Sequence, residues 1–86
     1  MIREHVLKSE VDYFSDLWLH RRQFEIRRND RSFGVGDRLR FKEYDRVNGN
    51  YTGREVARRV SFVLYADDRL GLMPGYCGLG LADDAA

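Results

Sequence analysis

Five charged residues within ten positions, Arg22, Glu25, Arg27, Arg28 and Arg31, are the part of this chain whose types and spacing offer chemistry. They lie in the run RRQFEIRRNDRSFGVGD, residues 21–37. A guanidinium is a planar fork of donors that grips a phosphate at two points and stacks on bases, whereas lysine would serve solubility equally well. Between Arg21 and Lys42 stand eight basic residues, seven of them arginine, against three acidic ones. That local excess points to an anionic partner. The competing reading is a pair of neighbouring strands with solvated faces, in which Glu25 simply pairs with Arg27, Arg38 or Arg40.

Other chemistries find less support. Gly34 and Gly36 lack the spacing of a phosphate-binding loop and are accounted for by a turn. His5 and His20 have no serine or cysteine positioned beside them in sequence. A two-metal nuclease would need Asp30, Asp37, Glu43 and Asp45 to converge, and acidic residues in turns more often serve structure. No metal and no cofactor are therefore expected. The single cysteine, Cys77, cannot form an intramolecular disulfide, which favours a reducing compartment. Met1–His5 begin without an apolar leader, and no run approaches the ~20 apolar residues a membrane span needs. The expectation is a soluble cytoplasmic protein without membrane contact.

Positioning such residues takes a scaffold, and 86 residues with 43% apolar content provide one domain, expected over 1–82 with a frayed tail at 83–86. His5-Val6-Leu7-Lys8 predicts a first strand. Ser9, with Asp12 three positions on, predicts a helix cap, and Val11, Phe14, Leu17 and Trp18 at spacings of three, four and seven predict one apolar stripe on a helix from about Glu10 to Leu19. Trp18 belongs to the core rather than to a stacking platform on this reading. Tyr13 flanks the stripe and either offers its hydroxyl to the site or packs its ring at the edge. His20-Arg21-Arg22 suit the negative end of the helix dipole.

Next comes a short strand whose alternation places Phe24 and Ile26 on an apolar face and Gln23, Glu25 and Arg27 on a charged one. Arg28-Asn29-Asp30-Arg31 predicts a turn shaped by Asn29, and Phe33 and Val35 join Phe24 and Ile26 as expected core. Arg38 to Tyr44 alternates with Leu39 and Phe41 inward. Asn48-Gly49 predicts a two-residue type I′ hairpin into a long strand from about Thr52 to Tyr65, bulged at Gly53. On that strand Val56, Val60, Phe62 and Leu64 share one parity. Tyr76–Leu81 predicts a last strand, with Cys77, Leu79 and Leu81 buried and Gly78 and Gly80 opening the other face. The order β-α-β-β-β-β suits an α+β, mainly β fold: a small closed or partly closed barrel of about five strands plugged by one helix.

Phe24-Glu25-Ile26-Arg27-Arg28-Asn29-Asp30-Arg31, with Phe33, Val35-Gly36-Asp37, Glu43-Tyr44-Asp45 and Tyr51-Thr52-Gly53-Arg54, resembles the small phage and bacterial branch of ASCH-domain proteins of uncharacterised function. His5, Leu7-Lys8 and Tyr13-Phe14 extend the match over nearly the whole chain. The resemblance implies a PUA-like β-barrel and an association with RNA. Related amidohydrolases acting on acylated cytidine carry Gly-x-Lys-x-x-Thr or Gly-x-Lys-x-x-Glu, with a catalytic lysine. Here His20 stands at the glycine position and Arg22 at the lysine position, while Glu25 keeps its place. A guanidinium, with a pKa above ~12, is no general base near neutral pH, so the departure argues against that reaction.

The resulting expectation is an RNA- or nucleotide-binding module. Arg22, Arg27, Arg28 and Arg31 would contact phosphates, Glu25 and Asn29 would read a base edge, and Tyr13 or Tyr44 would stack on an unpaired base. One alternative is an amidohydrolase-like enzyme on a modified nucleoside, with Glu25 as its catalytic residue. The other is a module that binds a host protein.

Overall fold

The computed structural model describes residues 2–66 and 68–84. One sheet of five strands curls into a half-barrel around the helix, in the element order β-α-β-β-β-β. The elements are β1 (Glu4–Glu10), α1 (Val11–Trp18), β2 (Phe24–Arg28), β3 (Arg38–Asp45), β4 (Asn50–Tyr65) and β5 (Tyr76–Asp83), with a single 3₁₀ turn at Asp68–Leu70. Across the sheet the strands run β1-β3-β4-β5-β2. Only β1 and β3 are parallel; the other pairs are antiparallel. β1 and β2 are thus the two edges, and the open seam of the half-barrel lies between them.

The core is formed by inward residues of every strand except β2, together with Phe14 and Leu17 from α1 and Phe33 from the β2–β3 loop. Leu7, Leu39, Phe41, Val60, Cys77 and Leu79 are all but fully buried. Alternation explains this on β1, β3 and β5, where every second residue faces the helix. β4 obeys a different rule. Its register with β5 shifts between Val60 and Phe62, so Ser61 is an extra residue and the parity reverses. Val60 and Val63 are therefore buried while Phe62 is exposed, correcting the single parity expected for Val60, Phe62 and Leu64.

Several local expectations are corrected by pairing. Ser9 does not cap the helix: the parallel ladder of β1 on β3 continues to Glu10 opposite Tyr44, which keeps Ser9 in the strand and buried. The helix starts abruptly after Glu10, with no side-chain cap bond. Trp18 is exposed on the helix flank, stacked on Phe14 at 5.8 Å with the Arg54 guanidinium 4.8 Å from its ring. The β3–β4 turn is longer than type I′. Only Gly49 takes a positive φ (74°), and the Asp45 carboxylate receives the Val47 and Asn48 amides, folding a four-residue loop between Asp45 and Asn50. The bulge at Gly53 is present, with φ 97° and the β3–β4 register shifting opposite it. The chain stays ordered past residue 82: Asp83 closes β5, and Asp84 pairs with Arg38 at 2.6 Å and with Arg59 at 2.7 Å. Ala85 and Ala86 lie outside the described residues.

Candidate functional site

β2 is inverted relative to its apolar pattern. Glu25 is 8% exposed, whereas Phe24 and Ile26 are 57% and 56% exposed. The cause is the register on β5. Glu25 pairs with Leu79 and Arg27 with Cys77, both inward residues, while Phe24 and Ile26 fall opposite Gly80 and Gly78. A register one residue away would exchange the two faces. Outside, the rings and branches of Phe24, Ile26, Phe62 and Leu64 flank the glycines and form a shallow apolar groove of about 400 Å³. Inside, the charged face of β2 lines the seam.

The seam holds an open groove of about 610 Å³ whose walls include Lys8, Tyr13, Arg22, Glu25, Arg27 and Arg28. At its floor the Glu25 carboxylate sits between two guanidiniums. Arg22 Nη1 donates to Glu25 Oε1, and Arg27 Nε donates to Oε2 at 2.6 Å. The remaining N–H groups of the two arginines brace the walls. Arg22 donates to the Phe24 carbonyl at 3.0 Å and to the Tyr13 carbonyl at 3.2 Å, and Arg27 Nη2 donates to the Lys8 carbonyl at 2.8 Å. Arg31 Nη1 does the same to the Val6 carbonyl at 2.8 Å. The Lys8 and Val6 carbonyls belong to the free edge of β1, so the side chains of Arg27 and Arg31 take the place of the strand that would close the barrel.

The rim is different. Lys8 Nζ stands 4.7 Å from the Tyr44 ring centroid and the Arg28 guanidinium 5.8 Å from the Tyr76 ring. Among the described residues neither cation lies within ion-pair distance of a carboxylate. Lys8, Arg22, Arg27 and Arg28 against Glu10 and Glu25 leave the lining side chains two positive charges in excess.

Of the eight residues singled out from the sequence, Tyr13, Arg22, Glu25, Arg27 and Arg28 line this one groove. Arg31 continues the same line along β1. Asn29 does not face it in that sense: its Oδ1 receives the Phe33 amide at 3.2 Å and shapes the loop. Tyr44 lies outside the walls and reaches the site through Lys8, with its ring edge-on to Tyr51 at 5.0 Å. Lys8, Ser9, Glu10, Phe24, Ile26 and Tyr76 complete the walls and carry no sequence signal for this role, because nothing local says which strands are edges.

The supposed β3 half of the basic surface separates from the site. Arg38 pairs with Glu4 and Asp84, and Arg40 with Glu4 and Glu55, on the outer face of strands two positions or more from β2. β2 and β3 are not neighbours, so Glu25 has Arg22 and Arg27 as partners and neither Arg38 nor Arg40. The acidic residues weighed as a metal cluster are also dispersed. Glu43 is buried with Arg54 at 2.9 Å and Thr52 at 2.6 Å, and Asp37 is buried with His5 at 2.8 Å. Among the described residues no three His, Cys, Asp or Glu side chains gather to hold a metal. Cys77 is buried at the core, and burial pushes its thiol pKa up.

The family described as "Domain of unknown function (DUF3850)" matches residues 4–81, and the chain belongs to it. No curated protein matches the chain.

Proposed function

We propose that this member of the DUF3850 family is an RNA- or nucleotide-binding module that takes its ligand in the β1–β2 seam. The observation that carries the reading is the division of labour among the cations. Arg22 and Arg27 are spent on Glu25 and on the strand edges, while Lys8 and Arg28 at the rim face only aromatic rings. Rim cations beside half-buried rings, with Tyr13 exposed on the wall, suit a single strand, whose phosphates meet the charges and whose unpaired bases stack. Tyr13, 63% exposed on the groove wall, is the ring best placed to receive a base. Glu25 keeps acceptor capacity beyond its two guanidinium bonds and offers it to a base amino group. The resemblance to ASCH-domain, PUA-like proteins supports the same reading.

The carboxylate geometry favours holding over proton transfer. Both Glu25 oxygens already accept from guanidiniums, so service as a general base would first require breaking one of those bonds. No helix among the described residues is long and apolar enough to cross a membrane. A lone buried thiol suits a reducing, cytoplasmic setting.

Binding of short single-stranded RNA, duplex RNA and DNA across a salt series tests the proposal. Single-stranded RNA binds best, and a log–log slope of roughly 0.7 per phosphate contact measures the number of contacts. Lys8→Ala and Arg28→Ala each remove about one contact from that slope without unfolding the chain. Absence of binding at low salt overturns the reading. A panel of acylated nucleosides, run with wild type and Glu25→Ala, tests hydrolysis directly.

A further inference from the structure

We infer that a second, smaller cavity, sharing Arg22 with the seam, is a binding site for a phosphate group held by Arg58, Arg22 and His20. The cavity is about 210 Å³, and its other walls are Gln23, Leu81, Ala82 and Asp83. At roughly 30 Å³ per water it has room for one tetrahedral oxyanion and a few waters.

Arg58 is the centre of the argument. β4 places it inward, opposite Leu39 of β3, and it is only 8% exposed. Among the described residues its partners are the Ala57 carbonyl at 2.8 Å, the Leu17 carbonyl at the helix end at 2.8 Å, and His20 Nδ1 at 3.3 Å. Carbonyls solvate a guanidinium without cancelling its charge, and a buried charge without a counter-ion is costly. Among the described residues no carboxylate lies within 4.0 Å of it. Asp83, its ladder partner on β5, turns away: the side chain is 83% exposed, with Oδ1 3.9 Å from His20 Nδ1.

Two further observations concern residues that line the same space. Arg22 Nε is buried and has no hydrogen-bond partner, although the other nitrogens of that guanidinium are engaged. His20 holds a left-handed backbone, φ 58°, which is uncommon outside glycine and here puts a cavity-lining imidazole beside Arg58. The Arg58 fork, the remaining Arg22 Nε–H and an imidazole around one small cavity match the several acceptor oxygens of a phosphate better than a planar carboxylate. The site stands independently of the seam, with which it shares only Arg22 among its cations.

Amide chemical shifts, recorded at constant ionic strength against chloride, test this with inorganic phosphate, uridine 5′-monophosphate and uridine. Saturable shifts at His20, Leu81 and Ala82 with phosphate are expected. Asp83→Asn, which removes the carboxylate at the mouth, tightens phosphate several-fold. Gln23→Glu, which supplies an internal anion on the cavity wall, abolishes the shifts and raises Tm. Both positions are exposed and leave Arg58 in place. Tighter binding of the monophosphate than of phosphate identifies an ester as the source; equal or weaker binding identifies free phosphate. Phosphate shifts no larger than those of chloride, or an affinity indifferent to Asp83→Asn and Gln23→Glu, overturn the site. RNA binding that persists while phosphate shows no site leaves the seam reading standing and removes this one.

Discussion

Arg27 Nη2 donates to the Lys8 main-chain oxygen at 2.8 Å, joining the two edge strands that a closed barrel would pair directly. The same guanidinium binds Glu25 through Nε. One side chain thus sets both the width of the groove and the position of the carboxylate at its floor.

Arg27→Lys keeps the charge but offers one ammonium where two separated donors are used. The loss of one charge-assisted bond is expected to cost about 1–3 kcal/mol. Hydrogen exchange along the free edge of β1 should accelerate while the β3–β4 amides keep their protection. Uniform acceleration across the sheet would show instead that Arg27 supports the whole fold.

Glu25→Gln moves stability and affinity in opposite directions. Arg22 and Arg27 lose their shared carboxylate, which destabilises the fold by about 1–3 kcal/mol. The groove meanwhile gains one positive charge, so single-stranded RNA binds more tightly at low salt and with a steeper salt slope. Denaturant midpoints and the salt series report the two effects separately.

Acid weakens the fold through Glu43 and Asp37. The Arg54 bond, against burial and with help from Thr52, holds the Glu43 carboxyl below its ordinary 4.5. Burial alone would raise Asp37, but the His5 bond, the Gly34 amide and Arg3 outweigh it and leave the group below 3.8. Folded pKa values below the unfolded ones mean stability that is present above the unfolded values and lost as pH falls through the folded ones. Calorimetry from pH 7 downward should therefore show Tm steady to about pH 5 and falling below it. Arg54→Leu lowers Tm at neutral pH and flattens the part of the acid limb that Glu43 contributes.

Gly80 and Gly78 face the same outer groove but differ in tolerance. A Cβ at Gly80 would stand 2.8 Å from Ser61 Oγ and 3.3 Å from Phe62 Cβ, at the β4 bulge. At Gly78 the nearest atom is Leu64 Cβ at 3.5 Å, an ordinary contact. Gly80→Ala is expected to cost about 1 kcal/mol, mostly recovered by Ser61→Ala in the same chain. Gly78→Ala is neutral or stabilising by about 0.5 kcal/mol, since it removes backbone freedom from the unfolded chain. Urea midpoints of the three variants decide.

Chain order, element types and the charged floor of the groove were readable from the sequence, because they depend on residue type and on neighbours two to four positions away. Alternation assigned Leu39, Phe41, Cys77, Leu79 and Leu81 inward, and all are buried. The concentration of arginine marked Arg22, Arg27 and Arg28, and the structure brings them to one groove. Phe33 also took its expected place in the core, whereas Val35 is exposed on the loop.

What the tertiary structure alone decided is which way β2 and the second half of β4 face. Phe24 and Ile26 had the pattern of buried residues, yet pairing with Gly80 and Gly78 turns them outward, and the Ser61 bulge turns Phe62 outward beside them. A strand's pattern states only that its two faces differ; which face meets the core depends on the register and bulges of strands distant in sequence. For the same reason no local rule could show that β1 and β2 end as opposite edges, where Arg27 and Arg31 satisfy carbonyls that no strand pairs. Nor could it place Arg58, which carries no sequence signal, beneath the helix end beside His20 and on one cavity with Arg22.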